Sequence, residues 1–440
     1  MADTFYYSRD TKVHLTDSAG AIYKIPVLDG FSFSQATNVS EVTLNEMATS
    51  AGVSRRARQM FTDSYAPAEW SFSTYIRPFK SGGAGSGGEH DAVAHHMVEE
   101  ALWNALAGSG AVGASGTALT ADGTDANIAF TNSNKVALDT FDLFFELGSG
   151  KASPTIYKIE GCVVNELSID FDIDGIATAN WSGMGKIITE ESSMSTATIF
   201  EGTAAADTNN FIRNRLTDLT VTNDVFETTA NGAVSSSATV TLAAGSDLIK
   251  VGQNVFAAGT AVGTVSAISG TTLTLSGAVS ISNGAAIVFS NAGMVSSYSL
   301  TLIGGNITIS NNMTFLTPET LGSVNQPLGH VTGTRSVTGN FSCYLGLDSS
   351  SNVGTSTDFF SDMTSDNAKA KTVNSFQTVF AIGGASSPFL KFTMPTAHFE
   401  IPSHNIEDVI ALETTFQALP STIGGTNETT LKYRGITPDV

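Results

Sequence analysis

Four groups of side chains have types that could support chemistry. His90, His95 and His96 offer imidazole ligands, and His398, Glu400 and His404 offer a mixed set. A zinc site needs ligands converging at fixed spacings, as in HExxH. His95 and His96 are adjacent and point to different faces of a predicted helix, while His90 precedes it. Glu400 has no further ligands that the sequence can place beside it. Both sets read as packing or solvated polar residues. Asp170, Asp172 and Asp174 alternate with Ile169, Phe171 and Ile173, which puts the carboxylates on one strand face. A calcium loop would need a glycine and a later bidentate glutamate at set spacing, and the glutamate position is taken by Trp181. That leaves a solvated acidic face, which matters if it lines a pore. Arg55, Arg56 and Arg58 form a basic cluster. It suits nucleic acid, or a carboxylate-bearing neighbour, because guanidinium forks match carboxylates. No nucleophile elbow, phosphate loop or dinucleotide fingerprint accompanies these groups. The sequence discloses no catalytic residue, no metal site and no cofactor.

The elements that hold these residues belong to a mainly β chain. At 440 residues it is too long for one core, so two or three domains are expected. Charged residues make up only 14%, the balance going to small polar types that suit strands and turns. The net charge of −20 repels nucleic acid, which argues against an enzyme on DNA and favours a conduit that must not hold it. Cys162 and Cys343 read as buried free thiols. The first ten residues lack a basic-then-apolar leader pattern, and no apolar run is long enough to cross a bilayer. A reducing cytoplasm is the expected place of synthesis and assembly.

The chain repeats one order of elements. Alternating residues at Phe31–Ser34 and Tyr298–Leu302 open each copy, and Trp70–Ser73 and Phe341–Tyr344 close a long polar segment. Lys12 to Val27 reads as a hairpin, and Arg213 to Thr222 as its counterpart. A helix running on from Asp91 to Gly108 matches a weaker one at Asp358 to Met363. Phe376 to Ile382 echoes Phe141 to Leu147, and the Glu407-Asp408 turn echoes Asp174-Gly175. Residues 225–292 have no counterpart and form short strands where the first copy has only Asp17 to Gly20. They read as a small β-domain inserted at a hairpin tip. The expected division is 1–200, then 201–224 with 293–440, and 225–292 as the insertion.

Val39 to Phe79, with Thr43-Leu44-Asn45-Glu46-Met47 and Pro67-Ala68-Glu69-Trp70-Ser71-Phe72-Ser73, resembles the major tail tube proteins of tailed bacteriophages. Tyr298 to Leu347, with Gly305-Asn306-Ile307-Thr308 and Gly329-His330-Val331-Thr332-Gly333-Thr334-Arg335, resembles them too, as does Pro395 to Pro420. The resemblance implies β-sandwich tube domains that line a barrel lumen in six-domain rings, each with a flanking helix and a long loop. The rings would stack into the virion tail tube and let DNA pass without specific binding. With two tandem domains, three chains would make one pseudo-hexameric ring. Implied partners are other copies of the chain, a tail terminator, baseplate or tail-tip proteins and a tape measure protein. The long loops are expected to touch neighbouring rings through Arg55, Arg56, Arg58, Met60 and Phe61, and through Leu316, Pro318, Glu319, Asn325, His330 and Arg335. The competing reading is a carbohydrate- or surface-binding virion fibre or adhesin, which exposed aromatic clusters or a metal site would favour. Replacing Arg55, Arg56 and Arg58 together by Ala is expected to weaken tube growth in a sedimentation assay. Unchanged polymerisation would count against the inter-ring role.

Overall fold

The computed structural model describes residues 5–42, 59–80, 95–108, 119–121, 125–130, 138–151, 153–195, 199–200, 210–246, 249–290, 297–317, 321, 325–346, 353–364, 376–421 and 424–436. In the first half, β1 (Lys12–Thr16) and β2 (Ile22–Ile25) form a hairpin. Its turn is held by the Asp17 carboxylate, which accepts from the Ala19 and Ala21 N–H groups at 3.0 and 2.8 Å. β3 (Ser32–Val42) and β4 (Gln59–Tyr75) make a long hairpin, followed by β5 (Pro78–Lys80), β6 (His95–Met97) and helix α1 (Glu100–Ala107). Next come β7 (Leu119–Ala121), β8 (Ala126–Ala129), β9 (Phe141–Leu147), β10 (Thr155–Phe171), β11 (Thr178–Gly185), β12 (Ile188–Glu191) and β13 (Ile199–Phe200).

Strand β10 serves two sheets. Its first part pairs with β9 and β12, and from Val163 on, across a bulge between Val164 and Glu166, it pairs with β11. A bulge bends a strand and sharpens its twist, which lets one strand turn the corner between layers. One layer runs β12-β10-β9-β1-β2, the other β3-β4-β11-β10. Between them lie Trp70, Phe72, Phe145 and Trp181, all at most 3% exposed. The Trp70 and Phe141 rings meet across the layers, edge to face, at 5.9 Å.

The second half begins with β14 (Asp218–Thr222). Six strands then intervene: β15 (Asp224–Thr229), β16 (Val234–Thr241), β17 (Asn254–Ala257), β18 (Thr260–Ser269), β19 (Thr272–Ile281) and β20 (Ala286–Ser290). They form one sheet, ordered β15-β20-β17-β18-β19-β16, over a core of their own that includes Val240, Val255, Leu273, Ile287 and Phe289. Asp224 pairs with Ser290, so the sheet starts and ends at one place. The chain returns as β21 (Ser297–Ser299), which pairs with β14 as β2 pairs with β1.

Then follow β22 (Leu302–Ser310), β23 (Thr314–Leu316), β24 (Gly329–Val331), β25 (Ser336–Tyr344), β26 (Val353–Gly354) and α2 (Ser356–Thr364). The last strands are β27 (Phe376–Ile382), β28 (Phe389–Phe399), β29 (Ser403–Asn405), β30 (Ala411–Leu419) and β31 (Thr430–Arg434).

Several strand pairs of the two halves share one register. On β10 and β11, Val163 faces Met184, Val164 faces Gly183, Ser168 faces Asn180 and Asp170 faces Thr178. At the same places in β28, β29 and β30, His398 faces Gln417, Phe399 faces Phe416, Ser403 faces Glu413 and Asn405 faces Ala411. The separation is constant, 398 − 163 = 405 − 170 = 235 along one strand, and the irregularity after Val164 recurs after Phe399. Phe141 opposite Cys162 likewise becomes Phe376 opposite Ala397. Independent sequences rarely share register over so many strands, because a one-residue slip turns every buried side chain outward.

The two helices differ. Every residue of α1 is buried, with Trp103 edge-on to Trp181 at 5.1 Å. The helix starts at Glu100, later than the expected start at Asp91. Residues 81–94, including Asp91 and His90, lie outside the described residues, and His95–Met97 pairs as a strand with β5. That ladder takes the backbone bonds a longer helix would need. In α2, by contrast, Ser356, Phe359 and Met363 are the buried residues, and Asp358 accepts from the Thr355 N–H at 2.8 Å to close the first turn.

Glu99, before α1, is fully buried, and burial raises its carboxyl from 4.5 to about 7 against the opposing pull of Arg77. The protonated form is favoured in the fold, so this contribution is fully present below about 4.5 and is lost as pH rises through 7. Glu99→Gln is therefore expected to raise the melting temperature at pH 8 relative to the parent. The gain should shrink toward pH 5, as followed by calorimetry.

Candidate assembly surface

The joint between the halves is itself a strand pair. β10 pairs antiparallel with β22, Glu166 facing Ser310 through Phe171 facing Gly305. One continuous row results: β3-β4-β11-β10-β22-β25-β30, with β28 and β29 along the far side of β30. The row does not close on itself. Among the described residues β3 pairs with β4 alone and β29 with β30 alone.

One face of the row is packed and the other is polar. Inward lie Leu167, Ile169, Ile307, Ile309, Phe341 and Phe416. Outward, the alternation presents Ser32, Ser34, Glu69, Ser71, Asn180, Ser182, Ser168, Asp170, Asn306, Thr308, Thr338, Asn340, Glu413, Thr415 and Gln417, with no Lys or Arg among them. Short hydroxyl and amide groups bond across the strands. The Ser32 and Ser71 hydroxyls lie 2.8 Å apart, Ser73 donates to Asn180 at 2.7 Å, and Asn180 donates to Asp170 at 3.3 Å. Donors and acceptors satisfied within the sheet offer little to a passing phosphate, and the carboxylates repel it.

Of the expected acidic row, Asp170 alone sits on this strand face. β10 ends at Phe171, so Asp172 and Asp174 lie in the turn beyond it, and Asp174 approaches Arg215 at 3.6 Å in solvent. The period-2 pattern of the sequence continues past the point where the backbone turns. The segment expected as an irregular loop from Asn45 to Ala68 is strand from Gln59 on, and the β3–β4 hairpin extends as an arm through Val42 opposite Gln59. Met60 and Phe61 stand on this arm, 59% and 62% exposed, beside Val39 at 49%. Arg55, Arg56 and Arg58 lie outside the described residues, as do Pro318 and Glu319.

In the second copy, the corresponding segment carries the short β23–β24 hairpin. Leu316 is exposed there, and His330 packs against Phe315 with ring centres 6.1 Å apart. Burial lowers the His330 pKa, with nearby Lys186 adding to it, so the ring is neutral at pH 7. Asn325 joins the two arms: its carbonyl accepts from Tyr65 N–H at 2.9 Å, and its N–H donates to the Asp63 carbonyl at 3.1 Å. Arg335 is held within its own chain, 2.5 Å from Glu428, with its guanidinium 4.1 Å from the centre of the Phe130 ring. His95 and His96 sit on opposite faces of β6, where His95 Nδ1 accepts from Gly435 N–H and His96 Nδ1 lies 2.9 Å from Glu100. His404 stacks edge-on to Phe360 at 4.6 Å. No cluster of metal-ligand type occurs among the described residues, and none of their helices is long and apolar enough to cross a membrane.

The residues that sequence reasoning missed are the uncharged ones of the polar face and the exposed Ile401, Ile406 and Val409 near the β29 edge. Serine and threonine alternation was visible but carries no chemical signature. The isoleucines follow no period.

A row of strands with two open edges, a polar face and projecting arms is a structure built to be completed by others like it. The phage tail tube protein family matches residues 62–218, from the β3–β4 arm to β14. Over that segment the chain is similar to the phage tail tube proteins. Tail tube protein pb6 of Escherichia phage T5 is 23% identical to it over 409 residues, covering 92% of this chain and 69% of pb6.

Removing one member of a largely desolvated ion pair leaves the other uncompensated. Arg335→Ala is therefore expected to cost roughly 2–4 kcal/mol of stability in the unassembled chain. Denaturant unfolding of the monomer measures it, and a loss confined to assembly would contradict the internal role.

Proposed function

We propose that three copies join head to tail into a closed ring, that rings stack into the tail tube, and that the polar face lines the channel through which DNA leaves the virion. The observation that carries this reading is the β10–β22 joint: two equivalent units already meet edge to edge, and each end of the row repeats one half of that joint. Head-to-tail contacts between unlike edges close into rings, whereas contact between ring faces has no natural end and gives a filament. Counting β28 and β29 as one interrupted strand, a chain supplies eight strands, so three supply 3 × 8 = 24. At about 4.8 Å spacing and roughly 40° tilt, 24 strands enclose a circle on the order of 48 Å across the backbone. Barrels of roughly 16–18 strands already hold a water channel.

The arms bearing Val39, Met60 and Phe61 supply apolar surface for the next ring, supported by Leu316 and Leu328 of the second copy. The inserted sheet of residues 224–290 projects from the outside of the tube. A tail terminator, tail-tip proteins and a tape measure protein are the partners this role requires at the tube ends and in its channel.

Negative-stain microscopy and native mass measurement of the purified protein test the reading. Hollow tubes or rings with masses in multiples of three chains are expected. A monodisperse monomer at all concentrations, with no polymer, would overturn it.

A further inference from the structure

The internal joint specifies the seam between chains. Constant register carries β10 onto β28–β29 and β22 onto β3. Ser168 corresponds to Ser403, Phe171 to Ile406, Thr308 to Ser34 and Gly305 to Phe31. Within the chain, Ser168 faces Thr308 and Phe171 faces Gly305. Phe171 is 3% exposed and packs on Phe380, ring centres 5.6 Å apart. It fits because residue 305 has no side chain. A Cβ there would come within 2.3 Å of the Asn340 carbonyl and 3.0 Å of the Phe171 ring.

At the open ends the sizes are reversed. Phe31 stands where Gly305 stands, and it fills the space over Phe145, the counterpart of Phe380, with ring centres 5.8 Å apart. Opposite it, the position of Phe171 is taken by the smaller Ile406, which is 77% exposed in the single chain. A large residue against a small one recurs at both joints, but each joint places the large one on the other strand.

We infer that β29 of one copy pairs antiparallel with β3 of a second copy, Ser403 facing Ser34 and Ile406 facing Phe31, with Ile406 buried against Phe31 and Phe145. This rests on the ring assembly proposed above and adds its register and its key. The reversed sizes discriminate between seams. A wrong pairing of Phe171-type and Phe31-type edges would bring two large rings together, and one of Ile406 with Gly305 would leave a void.

Cysteine crosslinking tests the register. Ser34 and Ser403 are at opposite ends of the row, so a disulfide between them must join two chains, and the native Cys162 and Cys343 are buried. Directly opposed residues have Cα separations of about 4.5–5.5 Å, within disulfide reach, whereas diagonal ones lie at roughly 7–8 Å, beyond it. In assembled protein, S34C/S403C should oxidise to a ladder of covalent multimers on a non-reducing gel, and S34C/N405C should stay monomeric on that gel. Tubes that form without the S34C/S403C ladder, or with the ladder in S34C/N405C instead, would overturn the seam while leaving tube assembly intact. Absence of any polymer would overturn both. Independently, Ile406→Phe should cut tube yield at least ~10-fold, since a second large ring is overpacked against Phe31, and adding Phe31→Gly should restore it. Full yield from Ile406→Phe alone would contradict the size key.

Discussion

The structure depends on the hydrogen-bonding demand of a β-strand edge. Each edge strand presents a line of N–H and C=O groups that must find partners in water or in another strand. Within this chain one such demand is met where β10 meets β22, and that single joint turns two sandwiches into one curved row. Among the described residues the same demand is left open at β3 and β29. Everything else bears on how those edges are spent. Bulges let β10 and β28 serve two layers, α1 fills the space behind the row, and Pro402 interrupts the strand so that the free edge of the single chain stays short.

The polar face explains the charge balance better than the carboxylates alone. A face of Ser, Thr and Asn whose groups bond to one another is wet but unreceptive, and the acidic residues scattered on it add repulsion without creating sites. In the channel proposed above, an overall charge of −20 would repel DNA without a dense acidic stripe.

Much of the architecture was legible in the sequence because period-2 alternation and turn residues are local signals. The Phe31, Trp70, Phe341 and Phe376 strands, the helix at Asp358 and the hairpin at Asp17 are where alternation and capping put them. What sequence could not show was non-local. The strand that Phe31–Ser34 announces runs on to Val42, because its ladder with β4 absorbs two irregularities. His95–Met97 has helical neighbours yet pairs with β5. Asp172 and Asp174 keep the alternation of β10 after its backbone has turned away. Arg335, expected as a loop contact to a neighbouring ring, is paired with Glu428, far along the chain. The assembly edges were the least legible of all. Nothing in Ile401 or Ile406 marks them as edge residues until the strand order is known.

The inserted sheet has a consequence of its own. Its two ends meet as neighbours, Asp224 beside Ser290, at the tip of a hairpin whose first-copy equivalent is a bare turn around Asp17 to Gly20. The strands that flank that point are thus little constrained by the sheet that hangs from it, which packs on a core of its own. In the stacked assembly proposed above, such a socket would recur at a fixed spacing and present the appended sheet as a regular outer array.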